Sequence, residues 1–533
     1  MFITMCELPR RRTLSINLTP LSKGETKNQK ETDTMNTFLN AMKQNDNYTL
    51  TENGAVTHKS TLNGLMDLFA LGGAYRNRSD EDCITLFKAA FAEDEVHALR
   101  CLFYLRDIRG GQGERRFFRV VAKWLAAKHT DAMRRNMEFI PIMGRWDDLY
   151  IFVGTPLEKD AFNLMRHQLA LDVSCKTPSL LAKWLKSENT SSKESRHLAV
   201  ITRNHFGMTA KQYRKTLSTL RERIRIVERL MSENRWDEIE FDKIPSRAGL
   251  IYRNAFARRD LIKAKYEAYA KDTTAKMNVA TLYPHEIAHQ AFEASYQPYE
   301  STNRLMLQKA WENLPNYYGD NIENGIAVVD VSGSMRGTPM EAAVSLGAYI
   351  ADKAHGPFAN HFITFSGNPA LVKFEGVDIT DKLCRCVHAD WGMNTNVEAV
   401  FNMLLNTAMK QNVKPEDMPN RVYIFSDMEF DRCVTSGPVD TGRWSNSGRL
   451  VGSRGINTLF ESMKAKWARY GYKMPSCIFW NLNARNNNIP AIGDGFSYVS
   501  GFSPVMIQQI LSGKDGLDLI LEKLDSERYA QIH

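Results

Sequence analysis

The sequence has little that would suit a membrane, a secreted scaffold or a nucleotide-driven enzyme. No apolar run reaches the roughly 18–20 residues needed to cross a bilayer, which excludes an integral helical membrane protein. Only 8 cysteines occur among 533 residues, and they follow no regular framework. That excludes a disulfide-stapled fold, favours a reducing compartment and sets cytoplasmic location as the expectation. Cys384 and Cys386 stand too close for a normal metal pair, and the others are scattered. All read as buried or free thiols. There is no P-loop, no dinucleotide fingerprint and no Gly-x-Ser-x-Gly elbow.

What is present is ordinary globular material: 43% hydrophobic and 24% charged residues, enough chain for two to four domains. The charge is unevenly placed. Residues 101–280 carry 35 Lys and Arg against 21 Asp and Glu, an excess of +14 in a chain whose net charge is +8, so the remainder stands at −6. A segment more basic than the whole protein suggests a polyanionic partner, although scattered surface cations would give the same sum.

Three regions follow from the patterning. Residues 1–34 are polar, with Arg10, Arg11 and Arg12 followed by a Ser/Thr/Lys-rich stretch and no apolar segment. A disordered tail is expected rather than a secretory signal, with Met35 an alternative start. Residues 35–320 are repeatedly amphipathic at helical spacing and show almost no alternation, fitting an α-solenoid of irregular HEAT-like repeats or a compact bundle. One helix is expected over Thr209–Asn234, with Leu217, Leu220, Ile224, Val227 and Met231 on one stripe and Lys211, Arg214, Lys215, Arg221, Arg225 and Arg229 pointing away from it. Residues 321–533 alternate short β-branched strands with helices, which argues for a parallel, doubly wound sheet.

The first strand of that region, Gly325–Asp330, runs into Asp330-Val331-Ser332-Gly333-Ser334. This is the carboxyl edge of the sheet, where open α/β folds place ligands. The motif puts three oxygen side chains on one turn. Thr395, in the loop 391–396 before a helix, and Asp427, after the strand ending at Ser426, could converge on the same edge. Two serines, a threonine and two carboxylates form an all-oxygen set suited to a hard divalent cation such as Mg²⁺. Nothing nearby is an obvious nucleophile or general base, so adhesion is favoured over hydrolysis. The five residues resemble the metal-ion-dependent adhesion site of von Willebrand factor A domains, which implies a Rossmann-like domain gripping a partner's acidic group through the metal. The Gly/Ser-rich segment 433–456 follows Asp427 and should form a long loop on that face, a candidate for partner contact.

The helical half has its own signatures: Arg109-Gly110-Gly111-Gln112-Gly113-Glu114-Arg115-Arg116, Gly144-Arg145-Trp146-Asp147-Asp148-Leu149, Leu181-Ala182-Lys183-Trp184-Leu185 and Tyr213-Arg214-Lys215-Thr216-Leu217. Together with the A-type domain they resemble the Ro autoantigen (TROVE) family, and more closely a family distantly related to it, over about residues 55–533. The resemblance implies an RNA-binding ribonucleoprotein in which helical repeats and an A domain close a ring. Candidate RNA contacts, chosen by charge and position, are Arg109, Arg115, Arg116, Arg119, Lys183, Lys186, Arg214, Lys215, Arg221 and Arg225. Trp124, Trp146 and Trp184 could stack bases, but their apolar surroundings make them better core residues.

A competing motif is His285-Glu286-Ile287-Ala288-His289, which matches the H-E-x-x-H zinc-protease pattern. Pro284 puts His285 in a first helical turn, no further histidine follows at protease spacing, and Glu300 or Glu312 would have to be the third ligand. The expectation is therefore a non-enzymatic RNA-binding scaffold with a Mg²⁺-dependent adhesion site. A protein-interaction module that uses the metal without RNA is the alternative, and a zinc metallopeptidase a remote one.

Overall fold

The computed structural model describes residues 47–365, 368–387, 395–432 and 458–533, together with the backbone of the two-residue strands β7 (Arg443–Trp444) and β8 (Leu450–Val451). The expected tail 1–34, Met35, residues 391–394 and most of the loop 433–456 lie outside the described residues.

The described residues open with an antiparallel hairpin, β1 (Tyr48–Leu50) and β2 (Val56–His58). Helix then follows helix from Gly64–Leu71 to Thr302–Glu312. Local chemistry sets many of the starts: Ser79 and Thr209 form reciprocal capping boxes, and the Asp94 side chain accepts from the His97 N–H. The C-terminal part is a six-stranded sheet in the order β10 (Phe496–Ser500), β9 (Ser476–Asn481), β6 (Arg421–Ser426), β3 (Gly325–Val329), β4 (His361–Thr364), β5 (Leu371–Lys373). All pairs are parallel except β4 with the edge strand β5. Every residue of β3 is buried, as expected of a strand covered on both faces. Gly347 lets the helix Thr338–Lys353 lie close on this strand, because a Cβ there would come within 2.3 Å of Val329 Cγ2.

The helix expected over Thr209–Asn234 is two helices, Ala210–Arg223 and Val227–Ser232, separated by Arg225 at φ +48°. The apolar stripe serves two cores, which is why it breaks. Leu217 and Leu220 belong to the main hydrophobic cluster, whereas Val227 and Leu230 pack with Trp236, Phe241 and Phe256 in a second one. After β10 a 3-10 turn, Pro504–Met506, runs into a single helical turn, Ile507–Ile510, and a separate helix follows at Gly516–Leu524. Cys384 and Cys386 sit on a helix, Ile379–Val387, for which the sequence reading placed no element.

The main hydrophobic cluster runs from Ala55 to Ile532, through both the helices and the sheet. Ser500 at the end of β10 donates its hydroxyl to Phe69 O at 2.6 Å and accepts from the Gly73 N–H at 2.9 Å. The Gly110–Glu114 motif is a joint of the same kind. A Cβ on Gly111 would lie 1.9 Å from Tyr104 O, Gln112 Oε1 accepts from the Ser503 N–H at 3.0 Å, and Glu114 pairs with Arg76 at 3.0 Å.

Candidate cation site and helical groove

Strands β9, β6 and β3 lie side by side and end together, because Val329 is in register with Phe425 and Phe425 with Trp480. From β3 the chain moves to β4 on one side and later returns as β6 on the other, so the β3/β6 crevice is the topological switch point. Asp330 and Asp427 flank it. Both are fully buried. Asp330 Oδ1 accepts from the Ser332 N–H at 2.9 Å and Oδ2 from the Ser426 hydroxyl at 2.7 Å, which fixes the carboxylate. The Ser332 and Ser334 hydroxyl oxygens meet at 3.0 Å. Burial, together with the Asp427 charge, pushes the Asp330 carboxyl above its ordinary range.

Asp427 Oδ1 accepts from the Glu429 N–H at 3.2 Å, whereas its Oδ2 is buried and accepts no hydrogen bond. Two buried carboxylates, one with an oxygen that accepts no hydrogen bond, and two hydroxyls on the adjoining turn are a donor set that fits a divalent cation. Among the described residues no group of three His, Cys, Asp or Glu side chains could hold a metal, so any ion here depends on the hydroxyls.

Thr395 is buried at the same end of the sheet, and its hydroxyl has specific partners. It accepts from Asn53 Nδ2 at 3.0 Å and donates to Asp431 Oδ1 at 3.3 Å. Asn53 belongs to the tip of the β1–β2 hairpin, which the sequence reading missed. Glu52 N–H donates to Glu429 Oε2 at 2.7 Å, Thr51 Oγ1 to Phe430 O at 2.7 Å, and Gly54 bridges Asp431. Glu52 also pairs with Arg485 at 2.7 Å, and the other arm of Arg485 lies 3.3 Å from Asp427 Oδ2. Asn53-Gly54 between two β-branched runs was the available signal for this hairpin.

The ten basic candidates separate into three groups. Arg115 and Arg119 ion-pair with Asp147 and Asp148, Arg116 with Asp80, and Arg225 with Glu240. Arg221 donates to Ala182 O, Leu185 O and the Ser187 hydroxyl, all at 2.8–2.9 Å, and so ties off the carbonyls of the short helix Leu181–Trp184. Arg115, Arg119 and Arg221 thus tie buried groups together, whereas Arg116 and Arg225 make solvent-exposed pairs; none of these partners is near in sequence, so the sequence alone did not reveal them. Lys183 approaches Glu228 at 3.6 Å, and Lys186 lies over the Tyr150 ring. Arg109, Arg214 and Lys215 are exposed and have no ion-pair partner among the described residues.

Arg214 borders an open groove of about 700 Å³, whose charged lining is completed by Lys183, Arg221 and Arg229 and by Glu188, Glu228 and Glu233, so its basic and acidic groups nearly balance. Trp124 packs against Phe87 and Phe91, and Arg145 lies 4.2 Å over the Trp184 ring, so both tryptophans already have neighbours on their faces or edges.

The H-E-x-x-H residues are engaged separately. His285 packs edge-on against Phe502 with its buried Nδ1 unpartnered, Glu286 divides its oxygens between the Tyr283 N–H and Arg247, and His289 bonds Glu341 at 2.8 Å.

Two family models match the chain, each described as a domain of unknown function: DUF2828 over residues 51–199 and 170–315, and DUF7788 over residues 324–530. An uncharacterised protein of Acanthamoeba polyphaga mimivirus is 29% identical over 514 residues, covering 88% of this chain and 85% of its own. Among solved structures, the RO (RSR) protein of Deinococcus radiodurans aligns with a TM-score of 0.45 and 13% identity, over 88% of this chain and all of that one. No described helix is long and apolar enough to cross a membrane.

Proposed function

We propose that this protein is a non-enzymatic, Ro-like RNA-binding scaffold in the cytoplasm, with HEAT-like helices presenting cations to RNA phosphates and an A-type domain carrying a Mg²⁺ adhesion site. The observation that supports the RNA reading best is the outer face of the helix Ala210–Arg223. Lys211, Arg214 and Lys215 are exposed there, beside the 700 Å³ groove, while neighbouring arginines are committed to internal partners. Exposed cations without internal partners are free to neutralise phosphates, and the affinity should then fall steeply with salt. Asp330, Ser332, Ser334 and Asp427, with Thr395, would hold the divalent ion. When bound, it would offer a Lewis-acidic contact to a carboxylate or phosphate from outside.

The test is salt-dependent binding of single-stranded RNA, after sequencing whatever nucleic acid copurifies with the native protein. The double variant Arg214→Gln/Lys215→Gln should weaken binding at least several-fold. Losing two phosphate contacts should also reduce the slope of log K against log salt by about 1.4, at ~0.7 per contact for a single strand. Equal affinity and an equal slope would remove this surface from the RNA reading.

A further inference from the structure

Among the described residues, the partly exposed Arg485 brings a guanidinium to the candidate cation site, and it is held there differently from the fully buried Arg106. Arg106 donates two hydrogen bonds to Asp148. Arg485 instead lies 3.3 Å from Asp427 Oδ2 without aligning: that oxygen accepts no hydrogen bond, and the buried Arg485 Nε donates none. Charge is matched there while the hydrogen bonds are left unmade. Its other arm pairs at 2.7 Å with Glu52, a half-exposed carboxylate at the hairpin tip.

We infer that Arg485 is a resident counter-cation for the metal site, which a divalent ion displaces from Asp427 onto Glu52. This rests on the metal reading proposed above. The charge arithmetic favours an exchange. Asp330 and Asp427 carry two negative charges, which a doubly charged ion neutralises by itself, leaving the guanidinium as a like charge pressed against it. The side chain has somewhere to go, because Glu52 already holds one of its arms.

Its backbone stays in place. Arg78 donates to Arg485 O, Ala484 N–H donates to Ala74 O at 3.2 Å, and Tyr75 Oη donates to Asn487 Oδ1 at 2.5 Å. Exchange would therefore be read out by the hairpin tip, which Asn486 also ties to the site by donating to both Glu52 and Glu429. Metal occupancy and the order of the Glu52–Asn53 tip become linked, and linkage of this kind typically amounts to roughly 5–150-fold in affinity.

The experiment is Mn²⁺ binding to the full chain, measured by electron paramagnetic resonance, with hydrogen exchange of residues 47–58 followed with and without the ion. Asp330→Ala should abolish binding, which tests the metal reading alone. Arg485→Gln should bind Mn²⁺ about tenfold tighter, and Glu52→Gln more weakly, because the displaced guanidinium loses its second carboxylate. Opposite signs for two residues that touch each other are not what general loosening would produce. Manganese should change exchange in the hairpin of the native chain and leave it unchanged in Arg485→Gln. If the native chain binds Mn²⁺ and Arg485→Gln binds it equally or more weakly, the inference is overturned while the metal site stands. If the native chain binds none, both fall.

Discussion

Arg106 and Asp148 are both fully buried, and the guanidinium donates from Nε at 2.9 Å and from Nη2 at 2.6 Å to one carboxylate oxygen. The second oxygen takes Arg115 at 3.1 Å and Arg119 at 2.8 Å. Burial works against the charge, but Arg106 and Arg119 hold the Asp148 carboxyl below its ordinary range. Two stretches quoted as family signatures thus meet through one aspartate.

Removing that carboxylate would strand a buried guanidinium. Asp148→Ala should cost about 3–5 kcal/mol, the usual penalty for breaking a buried pair from one side. Urea unfolding of the variant should show the loss. A change below 1 kcal/mol would mean that solvent reaches Arg106.

Arginines that look equivalent in sequence should behave differently when neutralised. Arg221→Gln leaves three acceptors unsatisfied and should destabilise by about 2–4 kcal/mol, whereas Arg214→Gln should stay within about 0.5 kcal/mol. Differential scanning calorimetry distinguishes them, and similar melting temperatures for both variants would contradict the assignment.

Burial pushes His285 down to about 3, helped by the charges of Arg76 and Arg247. The folded state therefore keeps it neutral while the unfolded chain, near 6.5, binds a proton as the solution is acidified. Stability from this group is intact above about pH 6.5 and falls by about 1.4 kcal/mol per unit below it, until roughly pH 3. Between pH 7.5 and 5.0 the native chain should lose about 2 kcal/mol that His285→Leu does not. Parallel losses in the two proteins would show that the imidazole titrates freely.

Zinc should be absent in stoichiometric amount from both the native protein and His289→Ala, since Glu286 and His289 each serve other partners. Elemental analysis decides this. One zinc per chain that disappears in the variant would restore the hydrolase reading.

The alternation of apolar strands and helices after residue 324 was legible because burial on both faces writes continuous β-branched runs into the chain. The Asp330, Ser332 and Ser334 turn was legible for a related reason: its spacing is local. Contacts set by distant partners were not. Arg115, Arg119 and Arg221 read as solvent cations until Asp147, Asp148 and the carbonyls at Ala182 and Leu185 are placed beside them. The two-helix break at Arg225 was hidden by an unbroken stripe, because periodicity records which face is buried and not how many cores receive it. The hairpin was too short for periodicity to register, and only its Asn-Gly tip marked it.

The chain's two described ends both cross over. Its opening hairpin rests on the carboxyl edge of the sheet, while its last residues return to the helices, where Arg528 and Tyr529 grip Asp107, Arg100 donates to Ile532 O at 3.2 Å, and Asn136 accepts from the His533 N–H at 3.0 Å. A gene cut near codon 320 would therefore yield two fragments, each missing a strap that the other carries. Reassembly by mixing, rather than independent folding, is the behaviour such pieces should show.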